Sequence, residues 1–330
     1  MSLNRRHFLA AATAPAILSS SPLRAQTKPK VSYAYLLDPA YDAVVWAIKN
    51  GKVKSSIIDV EATGMLIPQL LQVTSTKQYD VVMTAVIGVP AAAARGLDLR
   101  ILSAALHASP VGEGGGVWVK KGSPHTTVSA LKGRTMASYG LRSTGYMFVR
   151  EAMRLKFGLN MALEGGDVRQ VEVQAPNLPA ALATGQADAA TLIHSQAWRA
   201  MQSGEFHNIC ETNVILNERY GPLVSAVNVS YPDRLAQRAE HISEFNRMLK
   251  ASVSYALTNR DEVFGAVAKQ ANIDRGFLEW WFDKTTRVPA VFGDEHAKAV
   301  QTAWTIGRDM GMVASVPDVR AYTWDKTLRS

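Results

Sequence analysis

Leu131-Lys132-Gly133-Arg134-Thr135-Met136-Ala137-Ser138-Tyr139-Gly140-Leu141-Arg142-Ser143-Thr144-Gly145 is the stretch from which the architecture can be read. Arg134 to Ala137 reads as a short strand, a Gly/Ser/Thr turn follows, and a helical pattern runs from about Thr144 to Phe157. A strand that hands the chain directly to a helix is the repeating element of an α/β sheet, whose ligands gather at the carboxyl ends of the strands. The start of such a helix carries unpaired N–H groups and a partial positive charge. Ser143 and Thr144 add hydroxyl donors there, and Gly145 permits close approach. An anion or carboxylate would fit without any cationic side chain. The competing reading is plain N-capping by Ser143. Arg142 either pairs with a ligand's charge or stays solvated.

The same alternation extends to both sides. Val31 to Leu37 is a strand, and a turn at Asp38-Pro39 leads into a helix with Tyr41, Val45 and Ile48 on one face. Ser56 to Glu61 is a second strand. Thr63-Gly64-Met65 opens a helix bearing Leu66, Leu70 and Val73. Asp80 to Thr84 is a buried strand, Ala91 to Arg95 is helical, and Arg100 to Ala105 is the next strand. Units of this kind imply a mostly parallel sheet covered on both faces. After a Gly-rich crossing at Ser109 to Gly116, strands at Val117 to Lys120, Gln170 to Gln174 and Ala187 to Ile193 build a second unit. Beyond Gly221-Pro222, Val224 to Val229 reads as a strand, Asp233 to Thr258 as a long helix, and the remainder as helical. The binding candidates here are Asp38, Tyr41, Gly64, Met65, Ala85 and Val86, with His194, Ser195 and Tyr220 as rim or specificity candidates. For Asp38 the alternative is a helix cap before Pro39, and for His194, Ser195 and Tyr220 it is a structural role.

Composition narrows the function classes. The chain has 330 residues, 47% hydrophobic and 19% charged, with seven Trp, ten Tyr and nine Phe, which argues against disorder and for two domains or one large one. No uncharged apolar run reaches the roughly 20 residues of a spanning helix, which excludes a polytopic membrane protein. A single cysteine, Cys210, excludes an internal disulfide, a cysteine zinc site and a CxxC redox pair. The seven histidines are scattered, so no metal site is expected. The nucleotide-loop, zincin and nucleophile-elbow motifs are missing, and Gly112-Glu113-Gly114-Gly115-Gly116 lacks dinucleotide-site spacing. No cofactor and no catalytic residue is expected, and the chain reads as a non-enzyme.

The N-terminus reads Asn4-Arg5-Arg6-His7-Phe8-Leu9, followed by nine nearly apolar residues from Ala10 to Leu18. Residues 1–25 read as a signal peptide of twin-arginine type, with cleavage near Ala25, export by the twin-arginine machinery and a periplasmic mature chain expected; the alternative is an ordinary amphipathic N-terminal helix of the fold. Removing this segment, which carries Arg5, Arg6 and Arg24 and no acid, lowers the formal net charge from +8 to +5. The remaining charges are interleaved, with no basic run carrying aromatics, so nucleic acid is not an expected partner.

Four blocks carry a family resemblance. These are Tyr79-Asp80-Val81-Val82-Met83-Thr84, with Pro90, Gly96 and Leu97 downstream; Lys121-Gly122-Ser123-Pro124 with Val128 to Arg134; Ser143-Thr144-Gly145; and Pro179 to Ala190, which contains Gly185 and Asp188. In this order they resemble the periplasmic substrate-binding proteins of ABC importers of the nitrate, sulfonate and taurine type, within the thiamine-pyrimidine-precursor-binding-like superfamily. Ala130 stands where the family has Asp, and His194-Ser195-Gln196-Ala197-Trp198 departs from the family's turn. The resemblance implies a type II periplasmic binding protein fold, with two α/β lobes, a two-crossover hinge and the ligand cleft between them. Lobe 1 would be 26–110 with 223–330, and lobe 2 would be 111–222. It also implies capture of a small-molecule ligand by a monomer that delivers it to an ABC permease and its ATPase. A small organic anion is expected: a sulfonate, a carboxylate or something nitrate-like. The alternatives are a neutral heterocycle such as a pyrimidine precursor, an exported enzyme, or a sensor on the same fold.

Overall fold

Residues 28–330 are described by the structure, a computed structural model, so the expected signal peptide at 1–25 lies outside the described residues. The first lobe begins with β1 (Lys30–Leu36) and α1 (Pro39–Lys49). Asp38 starts this helix: its Oδ1 accepts the Ala40 N–H at 2.9 Å, and Pro39 occupies the first turn, where its missing N–H costs nothing. β2 (Asp59–Met65), α2 (Ile67–Thr76), β3 (Val81–Ala85), α3 (Gly88–Ala93) and β4 (Arg100–Ala108) follow. The chain then crosses into β5 (Gly116–Lys120), β6 (Thr135–Ser138), α4 (Thr144–Phe157), β7 (Arg169–Glu172), α5 (Leu178–Ala183), β8 (Ala189–Thr191), α6 (Ser195–Ser203), β9 (Phe206–Glu211) and α7 (Thr212–Tyr220). It returns through β10 (Val224–Ser230), α8 (Pro232–Thr258), α9 (Arg260–Ala271), α10 (Arg275–Trp280), a π-helical turn (Trp281–Thr285), β11 (Thr286–Arg287) and α11 (Asp294–Asp309).

Two sheets result. One has the order β11-β4-β10-β3-β1-β2 and the other β7-β6-β8-β5-β9, and each is the centre of an α/β lobe. Both are mixed, which corrects the mostly parallel sheet expected from the βα alternation. β1 pairs in parallel with β2 and β3, but β10 runs antiparallel between β3 and β4, and β5 runs antiparallel to β8 and β9. The physical reason is the crossing itself. A strand that arrives from the other lobe enters at the cleft end, where the resident parallel strands finish, so it must run against them.

A second correction concerns β2, which lies at 59–65 rather than 56–61. All seven residues of β1 find a partner in it, and this ladder holds Thr63, Gly64 and Met65 in strand geometry. Their expected role as a helix start moves to Leu66, and Gly64 is wedged against Tyr35 and Leu37. The C-terminal part is also less regular than expected, since α11 ends at Asp309 and only a short 3₁₀ turn at Val319–Tyr322 follows.

Asp80, almost fully buried, fastens α8 to the first sheet. Its Oδ2 accepts the Ser32 amide at 2.9 Å and the Ser32 hydroxyl at 3.1 Å, while Oδ1 accepts from Arg238 at 2.5 Å and Arg234 at 3.3 Å. Arg238 is also the residue at which α8 kinks, with φ −132° and ψ 30°.

His107, on β4, ties the first lobe to the second crossover. Its Nε2 donates to the Pro222 carbonyl at 3.2 Å, and its Nδ1 faces the Arg287 guanidinium at 3.5 Å. Burial, then the Arg287 charge and His296, hold its pKa down to about 4 from an ordinary 6.5. The unfolded chain therefore binds a proton that the folded chain refuses between those values. The melting temperature should fall as pH is lowered from about 6.5 to about 4. In His107→Gln, thermal melts across that range should show a shallower slope.

Candidate ligand-binding cleft

A cavity of about 190 Å³ lies between the lobes, several times the ~30 Å³ that one water takes up in the liquid. On the first lobe its walls are the ends of β1, β3 and β4, the start of β10 and the face of α2: Leu36, Ala85, Ala108, Ser225, Ile67 and Leu71 all take part. On the second lobe the walls come from the starts of α4 and α7 and the end of β8, with Tyr139, Phe148, Leu192 and Leu216 adding apolar surface. Among the described residues, no Asp, Glu, Lys or Arg lines it. The floor of β3, β4 and β10 is apolar because these strands are central in their sheet and carry hydrophobic side chains on both faces.

Among its polar features are the mouths of helices. Ser143 caps α4, its Oγ accepting the Tyr146 N–H at 3.2 Å and donating to the Gly140 carbonyl at 2.8 Å. Among the described residues, no acceptor pairs with the amides of Thr144 and Gly145, which lie at the cleft. A methyl at Gly145 would collide with the Tyr139 hydroxyl at 2.0 Å, so glycine here lets that hydroxyl keep its place at the turn. Burial raises the Tyr139 pKa, against an opposing hydrogen bond to Ser143, so the phenol remains a donor at neutral pH.

Of the candidate residues, Ala85, Ser143, Thr144, Gly145 and His194 line the cavity. Asp38 joins them through His194, its Oδ2 lying 3.0 Å from the imidazole Nδ1. The other candidates lie elsewhere. Tyr41 is buried in the first lobe's core, where its hydroxyl is 3.0 Å from that of Tyr33. Val86 is fully buried, its carbonyl accepting from Trp304 Nε1 at 2.9 Å. Gly64 and Met65 are absorbed into β2 and the packing beside it. Arg142 is exposed to solvent, and Ser195 is the first residue of α6. Tyr220 donates to Glu151 at 2.6 Å, and burial and that carboxylate push its pKa up to about 12. The sequence reading missed Tyr139, although it follows β6 directly. It also missed Thr191, Thr212, Asn217 and Thr285, whose chain positions bear no common motif.

Contacts across the cleft hold the lobes together. The Thr144 hydroxyl accepts the Ile87 N–H at 3.2 Å, and Gly307 of α11 lets Ile87 and Met147 meet over it. His194 reaches from the end of the second lobe's sheet to Asp38 and sets its ring edge-on to Trp281 at 5.7 Å. It does so with φ +44° and ψ −115°, a conformation that glycine adopts freely and other residues do not.

Two other groups of residues are not chemical centres. His107, Glu295 and His296 bring nitrogen and oxygen atoms within 4.8 Å of one another. However, the Gly293 N–H donates to His296 Nδ1, which places the proton on Nε2, and His107 Nε2 donates to Pro222. The lone pair left on His107 Nδ1 faces the Arg287 guanidinium, so the group is a poor cation site. Cys210 is buried in the second sheet, and burial pushes its pKa up to about 12, which opposes thiolate chemistry.

A family model described as NMT1/THI5 like matches residues 68–263. No curated protein sequence matches the chain. Among solved structures, the periplasmic aliphatic sulphonate-binding protein SsuA from Escherichia coli superposes with a TM-score of 0.68 at 17% identity, covering 90% of this chain and 98% of its own. The ligand-binding component of an ABC-type import system from Staphylococcus aureus gives 0.67 at 13% identity, covering 92% and 97%. The desulfurization enzyme DszB, in complex with biphenyl-2-sulfinic acid, gives 0.63 at 13% identity, covering 90% and 96%. The two lobes are therefore those of the periplasmic binding protein fold, a scaffold that also carries an enzyme.

The geometry of His194 generates a direct test. His194→Ala and His194→Gly both lose the Asp38 bond and the Trp281 contact, but only glycine relieves the backbone. The glycine variant should be the more stable by about 1 kcal/mol in thermal or denaturant unfolding.

Proposed function

The chain belongs to the NMT1/THI5-like family, and from that premise we propose that it is the solute-binding component of an ABC importer, capturing a small organic anion with an apolar body. The observation that carries this reading is the cleft itself, enclosed by two lobes, uncharged, mostly apolar, and opened at one point onto the first turn of α4. A sulfonate or carboxylate would sit on the Thr144 and Gly145 amides and the Tyr139 hydroxyl, with Ser143 holding the turn through its bond to the Gly140 carbonyl, bound by dipoles alone. Its apolar body would lie against α2, Phe148 and Leu216. A nitrate-sized ion would leave most of the cavity unfilled, which favours a larger ligand. SsuA and DszB lend support by analogy, one by its sulfonate and the other by its aryl sulfinate.

Ligand bound between the lobes would add its contacts to the closed state and shift the hinge equilibrium toward it. Asp38–His194 and Thr144–Ile87 are the protein's own share of that closure. The closed form would be presented to a permease and its ATPase, after export led by residues 1–25 into the periplasm. No bond would be made or broken. The uncharged walls also favour a second reading, a neutral heterocycle such as a pyrimidine precursor.

A thermal-shift series tests both. Aryl and alkyl sulfonates, the matching carboxylates, nitrate and pyrimidines would be added near millimolar concentration. A ligand at a thousand times its Kd stabilises by about 4 kcal/mol. Sulfonates or carboxylates with six or more carbons should shift the melting point by several degrees. Ala85→Phe, which fills the cavity, should abolish the shift. A shift by pyrimidines alone would select the heterocycle reading, and a shift that survives Ala85→Phe would move binding out of the cleft.

A further inference from the structure

We propose that the cleft contains a second polar subsite, formed round the first crossover by Thr191, Thr212, Asn217 and Thr285, which receives an uncharged hydroxyl or N–H group of the ligand. The inference rests on the solute-binding reading and specifies the ligand further.

The hydroxyls of Thr191 and Thr285 and the Oδ1 of Asn217 are buried without a hydrogen-bond partner, and the buried Thr212 hydroxyl has only the weakly bonding Cys210 thiol beside it. The three threonines are 1%, 2% and 3% exposed, and all four residues line the cavity. A buried polar atom left unpaired is costly, and native structures leave few of them without a reason. Four on the wall of one cavity are accounted for if a bound molecule supplies their partners.

The topology gathers them from three parts of the chain. Thr191 ends β8 opposite Val117 of β5. Thr212 begins α7 beside Gly116, and its amide donates to the Gly115 carbonyl at 3.2 Å. Thr285 closes the π-helical turn, and its Oγ1 lies 2.9 Å from where a side chain on Gly114 would begin. Asn217 holds the start of the same crossover, its Nδ2 donating to the Ser109 carbonyl at 2.9 Å and the Pro110 carbonyl at 3.2 Å. Gly114 and Gly116 allow this convergence, since a Cβ on either would meet other atoms at 2.4–2.5 Å.

The chemistry of the group it takes follows from Asn217. Two carbonyls fix the orientation of its amide, so the free Oδ1 only accepts. The threonine hydroxyls can donate or accept. Among the described residues no Lys or Arg lines the cavity to balance a second negative charge, its histidine, His194, is engaged by Asp38, and an anion would face the Asn217 oxygen. A hydroxyl, amide or ring N–H satisfies the set. The ligand is therefore bifunctional, with an anionic head for the α4 turn and a neutral hydrogen-bonding group for the crossover.

Isothermal titration with matched probes tests this: benzoate and benzenesulfonate, each against its 3- and 4-hydroxy isomers. One hydroxylated isomer should bind at least about tenfold tighter than its parent. In the Thr191→Val/Thr212→Val double variant, the members of each pair should converge on one Kd. Without ligand, the same double variant should melt at the wild-type temperature or about 2 °C above it, because no native hydrogen bond stronger than the Thr212 contact with the Cys210 thiol is lost. Hydroxylated isomers that bind no tighter than their parents would overturn the subsite alone. So would a ligand-free double variant that melts several degrees lower, because the hydroxyls would then have partners in the fold. If no parent and no isomer binds, the anion-capture reading falls and takes the subsite with it.

Discussion

β10 is the strand on which both lobes depend. It is the route by which the chain returns from the second lobe, and it lies between β3 and β4 in the middle of the first sheet. Its ladder to β3 runs from Ala226 to Val229, and the neighbouring Ser225 carbonyl accepts the Val86 N–H at 3.0 Å. A buried polar chain fixes it further. The Asn228 Oδ1 accepts from Tyr33 at 2.8 Å, and its Nδ2 donates to Ser103 at 3.0 Å, with Tyr41 joined to Tyr33. Such a network is stabilising only when every member is satisfied, and it permits one register. Loss of β10 would open the floor of the cleft and cut the second connection between the lobes together.

The cleft is built with dipoles rather than charges. An ionised side chain in an apolar cavity would need a partner whenever the ligand left, whereas helix amides and hydroxyls carry a smaller desolvation cost. The closing contacts have the same character. Thr144 and Ile87 share one neutral hydrogen bond, and the clasp of His194 with Asp38 forms at a strained backbone position. Contacts of this size leave the lobes able to part.

Much of this was legible in the sequence because the signals were local. The strand at Thr135–Ser138, the cap at Ser143 and the helix from Thr144 to Phe157 follow from hydrophobic periodicity and capping chemistry over twenty-odd residues. Asp38 is a helix cap, as its place before Pro39 indicates, and it also holds His194, which no local pattern could show. Tyr41 shows the opposite limit. It follows a strand as a ligand residue would, but helix periodicity turns it inward to Tyr33, and its phenol serves the core. Gly64 and Met65 were misplaced because a ladder with β1, some thirty residues away, extends β2 past the point where its own residues would end it.

The sequence by itself determined the alternation of strands and helices, the two α/β units, the uncharged character of the turn at Ser143-Thr144-Gly145 and, from its single cysteine, the exclusion of an internal disulfide and a CxxC pair. Each of these depends on neighbours within a few residues or on composition alone. Only the tertiary structure decided that β10 and β5 run antiparallel to their neighbours, that His194 grips Asp38 across the cleft, and that four polar groups between Thr191 and Thr285 share one wall. These features arise where distant segments meet. Their geometry is set by the path of the two crossovers, and single residues along the chain carry no record of that path.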